Sequence, residues 1–98
     1  MAKKDLVEYW KSIGINNKVI KAFDKIPREL FVDPNLKDYA YDDTPLPINA
    51  GQTISQPTTV VIMLTALELK PKDLVLEIGT GSGYNAALLS KMCSRVFS

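Results

Sequence analysis

The first part of the chain alternates apolar and polar residues with the period of an α-helix. In the first predicted helix, apolar side chains recur at i, i+3, i+4 and i+7, the spacing of one helix face. These residues are Leu6, Tyr9, Trp10 and Ile13. Gly14 follows the stripe directly and predicts the end of the helix, because glycine readily adopts the left-handed conformation found there.

A second amphipathic helix is predicted to begin near Asn16 or Asn17, either of which can cap it, and to end before Pro27. Its inward positions are Val19, Ile20, Phe23 and Ile26. The next segment, residues 27–57, contains five prolines and is predicted to be mostly irregular, with a short extended piece within residues 39–48. A connection of this length in a compact domain is usually functional or flexible.

From residue 57 onward the pattern changes to that of an α/β protein. Residues 58–69 predict a helix that is apolar nearly all round and therefore well buried, and the apolar run 74–78 predicts a parallel strand covered on both faces. A glycine-rich loop, a helix over 84–92 and a second strand over 95–98 follow. This order predicts the first part of a doubly wound, Rossmann-like sheet.

The amino-acid composition limits the catalytic sites, metal sites and partners that can be expected of this chain. The 98 residues carry a net charge of +1 and no histidine, which excludes serine-hydrolase triads, Cys–His pairs and most zinc sites. With a single cysteine we expect neither a disulfide nor a metal cluster. The sequence has no basic stripe of the kind that indicates a nucleic-acid partner. It also has no apolar run of the kind that indicates a signal core or a membrane span. We expect a cytoplasmic protein without metal, nucleic-acid or membrane partners.

The loop after the predicted strand 74–78 reads Gly-Thr-Gly-Ser-Gly over residues 79–83. A strand that runs through such glycines into a helix brings free backbone N–H groups close to a polar ligand. Dinucleotide-binding loops usually have the spacing G-x-G-x-x-G, and no Gly-Lys-Ser/Thr marks a P-loop, so a nicotinamide dehydrogenase is the weaker interpretation. Glu77 lies at the end of the apolar strand, where it faces the ligand, braces the loop through backbone N–H groups, or does both.

The strand with its acid and three glycines resembles the first motif of Rossmann-like S-adenosylmethionine-dependent methyltransferases. Upstream, the string from Asp43 to Pro57 contains Gly-Gln-Thr-Ile-Ser and resembles the signature of the protein-L-isoaspartate O-methyltransferases. The segments 26–31 and 39–41 are also similar to that family's N-terminal region. The resemblance extends over nearly the whole chain from about residue 15, and the two motifs occur in the family's order.

The resemblance implies methyl transfer from S-adenosylmethionine to the carboxylate of isoaspartyl residues in damaged proteins, as part of their repair. It places the active-site serine at Ser55, where a hydrogen bond to the substrate carboxylate is expected. By spacing alone, a helix cap ahead of Pro57 is the favoured role of Ser55, and the family resemblance is what favours the site. Ser82 has a similar alternative, as a cap for the helix after the loop. The cofactor-binding residues implied by the family are Gln52, Thr53, Ile54, Glu77, Gly79, Thr80, Gly81, Ser82 and Gly83.

Family members are roughly twice this length, so we expect the chain to be an N-terminal half. Residues 1–56 would form the helical and substrate-loop region, and residues 57–98 the first, incomplete part of the cofactor-binding domain. Taken alone, the chain is expected to be inactive. Two alternatives stay open: a non-catalytic piece that docks to a missing C-terminal half or to itself, and another class of Rossmann-like methyltransferase.

Overall fold

A computed structural model describes residues 2–48, 51–79 and 81–98. In chain order its elements are α1 (Lys3–Ser12), α2 (Asn17–Lys25), two 3₁₀ helices (Arg28–Phe31 and Pro34–Tyr39), β1 (Leu46–Pro47), β2 (Thr53–Ile54), α3 (Pro57–Leu67), β3 (Leu74–Leu76), α4 (Tyr84–Leu89) and β4 (Arg95–Phe97).

Local signals fix the ends of the first two helices. Gly14 follows α1 with φ +84°, the left-handed conformation predicted there. The side chain of Asn16 caps α2 by accepting a hydrogen bond of 2.8 Å from the N–H of Lys18. Ile26 is extended ahead of Pro27 and ends the helix. All three predictions are confirmed.

The core is built on the apolar faces of α1 and α2. Trp10 and Phe23 meet edge to face with ring centroids 4.6 Å apart, and both are fully buried. Trp10 also donates from Nε1 to Thr58 Oγ1 at 2.9 Å, which ties α1 to the start of α3. The predicted stripe of α1 is only half right, because Tyr9 and Ile13 are 50% and 45% exposed.

The irregular segment 27–57 carries more structure than its prolines suggest. It contains both 3₁₀ helices and a short antiparallel pair in which Leu46 faces Ile54 and Pro47 faces Thr53. β1 is the extended piece expected within residues 39–48. β2 is the last element before α3 in the chain.

Helix α3 is less buried than predicted. Val60, Val61 and Leu64 are buried against the core, whereas Met63 and Leu67 are 65% and 56% exposed. The helix ends at Leu67, two residues before the predicted end, because Glu68 takes the left-handed conformation with φ 50°. An apolar sequence shows that a surface is suited to burial, but neighbouring elements decide whether it is covered.

Strands β3 and β4 are parallel, with Val75 facing Val96 in the register. The prediction of two parallel strands joined through the glycine loop and α4 is confirmed. Coverage on both faces is wrong: Leu74 and Leu76 are 68% and 70% exposed, while Val75 packs against the core.

Helix α4 stops at Leu89 and not at the predicted residue 92. The next residues make i→i−3 hydrogen bonds, Lys91 N–H to Leu88 O and Met92 N–H to Leu89 O, so the helix tightens into a turn. α2 packs on both α3 and α4, and a single apolar cluster joins residues of both predicted regions. The boundary between residues 56 and 57 stays a prediction. Within the described ranges, no helix has the length and hydropathy needed to cross a bilayer.

Candidate functional site

A cleft lies between β2, the start of α3 and the glycine loop. One cavity of about 110 Å³ is bordered by Thr53, Ile54, Ser55, Gly79, Gly81 and Ser82. A second, apolar cavity of about 250 Å³ has Ser55, Glu77 and Asn85 at its polar end. Because Ser55 and Asn85 border both cavities, the segment with the serine and the loop with the glycines face one shared space.

The glycine loop leaves its backbone open to this space. Gly81 and Gly83 have φ +57° and +84°, which side chains other than glycine rarely adopt. Among the described residues, a Cβ atom at Gly81 would meet Ile48 Cδ1 at 4.0 Å, and a Cβ atom at Gly83 would meet no atom within 4 Å. A ligand can therefore approach the main chain closely. Thr80 lies outside the described residues.

Glu77 follows β3 at the edge of the apolar cavity. Its N–H donates to Phe97 O at 2.7 Å and continues the pairing with β4. Its carboxylate oxygen Oε1 accepts a hydrogen bond of 2.8 Å from Ser98 Oγ. The alternative of a brace to backbone N–H groups of the loop is not seen among the described residues, where the side-chain partner is this hydroxyl. The carboxylate is half-buried and provides negative charge beside the cleft.

Ser55 is exposed at the mouth of the cleft, and its side chain does not cap α3. The N-cap position belongs to Gln56, which makes no side-chain cap bond. Asp43 instead accepts hydrogen bonds from the Thr58 N–H at 2.9 Å and the Thr58 hydroxyl at 2.6 Å. The hydroxyl of Ser55 makes no hydrogen bond with any residue that the structure describes. Capping therefore does not account for this serine.

Ser82 differs from Ser55 in this respect. Its hydroxyl accepts a hydrogen bond of 3.3 Å from the N–H of Tyr84, the first residue of α4. Gly83 holds the N-cap position with no side-chain bond of its own. Ser82 thus stabilises the start of α4, as its alternative interpretation proposed, while its position beside Gly81 keeps it at the cleft.

Gln52 and Ser55 lie near opposite ends of the Gly-Gln-Thr-Ile-Ser segment. The carbonyl of Gln52 accepts a hydrogen bond of 2.8 Å from the Ile48 N–H. Together with Gly81 and Ser82 it borders a third cavity of about 420 Å³, whose far wall is the 3₁₀ helix with Phe31. Gln52 and the glycine loop therefore border this third cavity together.

Arg28 is one of the site-associated residues that sequence reasoning missed. It is fully buried, and its Nε donates to Ala40 O at 2.7 Å while its Nη2 donates to Ser55 O at 2.8 Å. The guanidinium carbon lies 5.1 Å from the ring centroid of Tyr84. Burial lowers the pKa of Arg28 and raises that of Tyr84, although the positive charge of Arg28 opposes the second shift.

A second polar cluster, formed by Tyr41 and Glu29, is hydrogen-bonded to the backbone of Arg28. The Tyr41 hydroxyl accepts from the Arg28 N–H at 3.1 Å and donates to the carboxylate of Glu29. Burial and the bond to Glu29 raise the pKa of Tyr41 to about 12, and the same bond lowers the pKa of Glu29. The first 3₁₀ helix is thereby fixed against the segment after Ala40.

Arg28, Asp43 and Asn85 were given no role by the sequence. Arg28 belongs to one of the segments that resemble the family, and Asp43 opens the signature string, so position in a motif was a usable signal for both. Asn85 follows the glycine loop by two residues, where a polar side chain in the first turn of a helix reaches a ligand at its N-terminus. No group of three or more metal-binding side chains occurs in the ranges that the structure describes.

The whole chain, residues 1–98, matches the model of the protein-L-isoaspartate(D-aspartate) O-methyltransferase family. A protein-L-isoaspartate O-methyltransferase of Thermosipho melanesiensis is 54% identical over 90 residues, which are 92% of this chain and 46% of that protein. One from Methanoculleus marisnigri is 51% identical over 98 residues, which are 98% of this chain and 44% of that protein.

Solved structures agree. A Plasmodium falciparum protein-L-isoaspartate O-methyltransferase in complex with S-adenosyl-L-homocysteine has a TM-score of 0.73 at 33% identity, over 91% of this chain and 41% of that one. Another structure of that name has a TM-score of 0.79 at 32% identity, over 98% of this chain and 33% of that one. The predicted fold class, N-terminal helices followed by the first part of a Rossmann-like sheet, is confirmed. The chain spans less than half the length of these relatives, and it belongs to the protein-L-isoaspartate O-methyltransferase family.

Proposed function

We propose that this chain is the N-terminal half of a protein-L-isoaspartate O-methyltransferase, which transfers a methyl group from S-adenosylmethionine to the carboxylate of an isoaspartyl residue in damaged proteins. The observation that carries the proposal is the shared cleft, in which Ser55 faces the glycine loop in a chain of this family. Its substrates are isoaspartyl-containing proteins and peptides, with no nucleic-acid or membrane partner, and its location is the cytoplasm.

The residues at the cleft fit such a cofactor. Gly79, Gly81 and Gly83 expose main-chain groups that the cofactor can approach, and Glu77 provides a carboxylate for its ammonium group. The remaining cofactor contacts that we assign are Gln52, Thr53, Ile54, Thr80 and Ser82. When bound, S-adenosylmethionine would supply a methyl group attached to a sulfonium sulfur. That sulfur would leave as a neutral thioether, which needs no help from an acid.

The work left to the protein is alignment. A substrate carboxylate is ionised at neutral pH and needs no general base, so a chain without histidine is sufficient. We assign Ser55 to donate a hydrogen bond from its hydroxyl to this carboxylate, holding one oxygen in line with the methyl group. The apolar walls of the 250 Å³ cavity, among them Leu64 and Leu89, exclude water from one side.

We also propose that the exposed apolar residues of β3 and α3 contact the C-terminal half of the family's chain. Leu76 and Ile78 are 70% and 86% exposed, and Met63 on α3 is 65% exposed. A parallel sheet is stable chiefly when further strands and helices cover it. Self-association through the same surface is the competing outcome for the 98-residue chain by itself.

The function is tested in a chimera in which residues 1–98 are followed by the C-terminal half of the Thermosipho melanesiensis relative. Calorimetry should show binding of S-adenosylmethionine and S-adenosylhomocysteine and no binding of NAD. A labelled-methyl assay should show transfer to an isoaspartyl peptide and none to the same peptide with normal aspartate. Binding of NAD without a response to either sulfur compound would reject the assignment.

A further inference from the structure

The turn that carries Ser55 is held by side chains from a distant part of the chain. Asp43 contacts Thr58 twice: Oδ1 accepts from the backbone N–H at 2.9 Å, and Oδ2 accepts from the hydroxyl at 2.6 Å. Thr58 is 8% exposed and its hydroxyl also accepts from Trp10 Nε1 at 2.9 Å. The carboxylate of Asp43 therefore anchors a buried network at the start of α3.

These bonds do the work that a cap residue does. The first N–H groups of a helix lack partners within it, and a side-chain oxygen from Ser, Thr, Asp or Asn usually supplies one. At α3 the N-cap residue, Gln56, supplies none. Ser55 is the cap that the sequence offers, but Asp43, fifteen residues away from Thr58, occupies that role. The hydroxyl of Ser55 is left without a hydrogen bond to any described residue.

The backbone of Ser55 is fixed at the same time. Its carbonyl accepts from Nη2 of Arg28 at 2.8 Å, and the same guanidinium holds Ala40 O at 2.7 Å. The negative charge of Asp43 also favours the charged form of Arg28. The main chain of Ser55 and the start of α3 are thus both restrained, and Ser55 lies between them at the border of both cavities of the cleft.

We propose that Asp43 is a positioning residue for Ser55: by capping α3 in its place, Asp43 keeps the serine hydroxyl free for the substrate carboxylate, while Arg28 fixes the serine carbonyl. This inference rests on the proposed function of Ser55. Asp43 is not among the residues that border the two cavities of the cleft. Its effect on catalysis passes entirely through Ser55, and this dependence separates positioning from simple stabilisation of α3.

The test uses the chimera with Asp43→Ala, Asp43→Asn and the matched control Asn16→Ala, which removes the side-chain cap of α2. Asp43→Ala should lower kcat by several-fold and by no more than Ser55→Ala does, about tenfold, with the cofactor Kd and the peptide KM each changing by less than about threefold. Asp43→Asn keeps an acceptor for the Thr58 N–H and should recover most of kcat. Asn16→Ala should lower the melting temperature without lowering kcat at temperatures well below it.

The decisive comparison is the effect of Asp43→Ala in a chimera that already carries Ser55→Ala. If Asp43 acts through the serine hydroxyl, adding Asp43→Ala to Ser55→Ala should change kcat by less than about twofold. Equal losses of kcat in both backgrounds, or an Asp43→Ala protein that melts lower but turns over normally, would overturn the proposal.

Should Asp43→Ala fail to fold, Arg28→Lys takes its place in the same cycle. Lysine keeps the charge but lacks the fork that reaches two carbonyls. Its loss of kcat must likewise disappear in the Ser55→Ala background, and a loss that persists there overturns the proposal. If the unmutated chimera transfers no methyl group, the proposed function fails. If it does transfer and the cycle shows independent effects, only the positioning role fails.

Discussion

The helical region, here α1, α2 and the segment up to Tyr41, and the sheet region, here β3, β4 and Ile78, differ in how far their central apolar residues are buried. In the helical region Leu6, Trp10 and Phe23 are no more than 1% exposed, and the buried guanidinium of Arg28 makes hydrogen bonds through Nε and Nη2. In the sheet region Leu76 and Ile78 are 70% and 86% exposed. Both sequences are equally apolar at these positions, so the difference lies in what packs on them.

The difference shows which part of the fold is complete within these residues. α1 and α2 form a closed core with α3, because three helices cover one another's apolar faces. β3 has β4 as its hydrogen-bonded neighbour, and two strands cannot cover both faces of their own sheet. The cleft with Ser55 and the glycine loop lies where the two regions meet, so its geometry depends on both.

The largest expected effect comes from comparing the 98-residue chain with the chimera. The chain alone should associate or remain partly unfolded and show no detectable methyl transfer, because its apolar strand residues are uncovered. The chimera should sediment as a defined species and methylate an isoaspartyl peptide. Analytical ultracentrifugation with a labelled-methyl assay makes the comparison. A cooperatively melting, active monomer of 98 residues would remove the distinction between the regions.

Two truncations in the chimera separate the regions by stability. Phe23→Ala should lower the free energy of unfolding by about 3–5 kcal/mol, since it opens a cavity in a closed core. Leu76→Ala should lower it by about 2–5 kcal/mol if the C-terminal half covers β3 as proposed. Denaturant titrations measure both. A change within about 0.5 kcal/mol for Leu76→Ala would mean that this residue stays exposed in the longer protein.

Ser55→Ala tests the meeting point of the regions. In the chimera it should lower turnover of an isoaspartyl peptide by about tenfold, equivalent to about 1.4 kcal/mol of transition-state stabilisation, and leave cofactor affinity within a few-fold. The melting temperature should hardly change, because Asp43 and not Ser55 caps α3. Ser90→Ala, at the end of α4, is the control. Unchanged turnover in Ser55→Ala removes this serine from the site.

The smallest expected effect lies inside the helical region. Tyr41→Phe removes the hydrogen bond to Glu29, together with the acceptor for the Arg28 N–H, and should cost about 1 kcal/mol of unfolding free energy near neutral pH. Since the folded state lowers the pKa of Glu29, this contribution is present above pH 4.5 and is lost as pH falls below it. Since the folded state raises the pKa of Tyr41 to about 12, the contribution is present below pH 10 and is lost between pH 10 and 12.

Urea titrations from acid to alkaline pH measure this dependence. The unmutated chimera should lose stability relative to Tyr41→Phe at both ends, so that the difference between the two curves is greatest near neutral pH. A constant difference across the whole range would show that the bond contributes nothing dependent on ionisation.

Prediction from sequence succeeded where the signal was local. Gly14, Asn16 and Pro27 set the ends of α1 and α2 through their own backbone preferences and hydrogen bonds, which act within a few residues. It failed where burial depended on distant partners: α3 was expected to be covered nearly all round, yet Met63 is 65% exposed. Periodicity describes which face is apolar and carries no information on what lies against it.

The candidate site divides in the same way, into local motifs that the sequence displays and distant contacts that it does not. The glycine spacing and the Gly-Gln-Thr-Ile-Ser segment identified both walls of the cleft, because each wall is a continuous stretch of sequence. The roles of Arg28 and Asp43 depend on contacts 27 and 15 residues away along the chain, to Ser55 and Thr58. No local pattern reports such pairs.

The sequence by itself determined the family, the order of the four α-helices with β3 and β4, and the residue types at the cleft, since these follow from motif, period and turn chemistry. The tertiary structure alone decided that Asp43 and not Ser55 caps α3, that Arg28 holds the serine carbonyl, and that Ser82 stabilises α4. The physical reason is competition: several side chains can satisfy the same N–H or carbonyl group, and only the folded chain determines which of them lies within hydrogen-bonding distance.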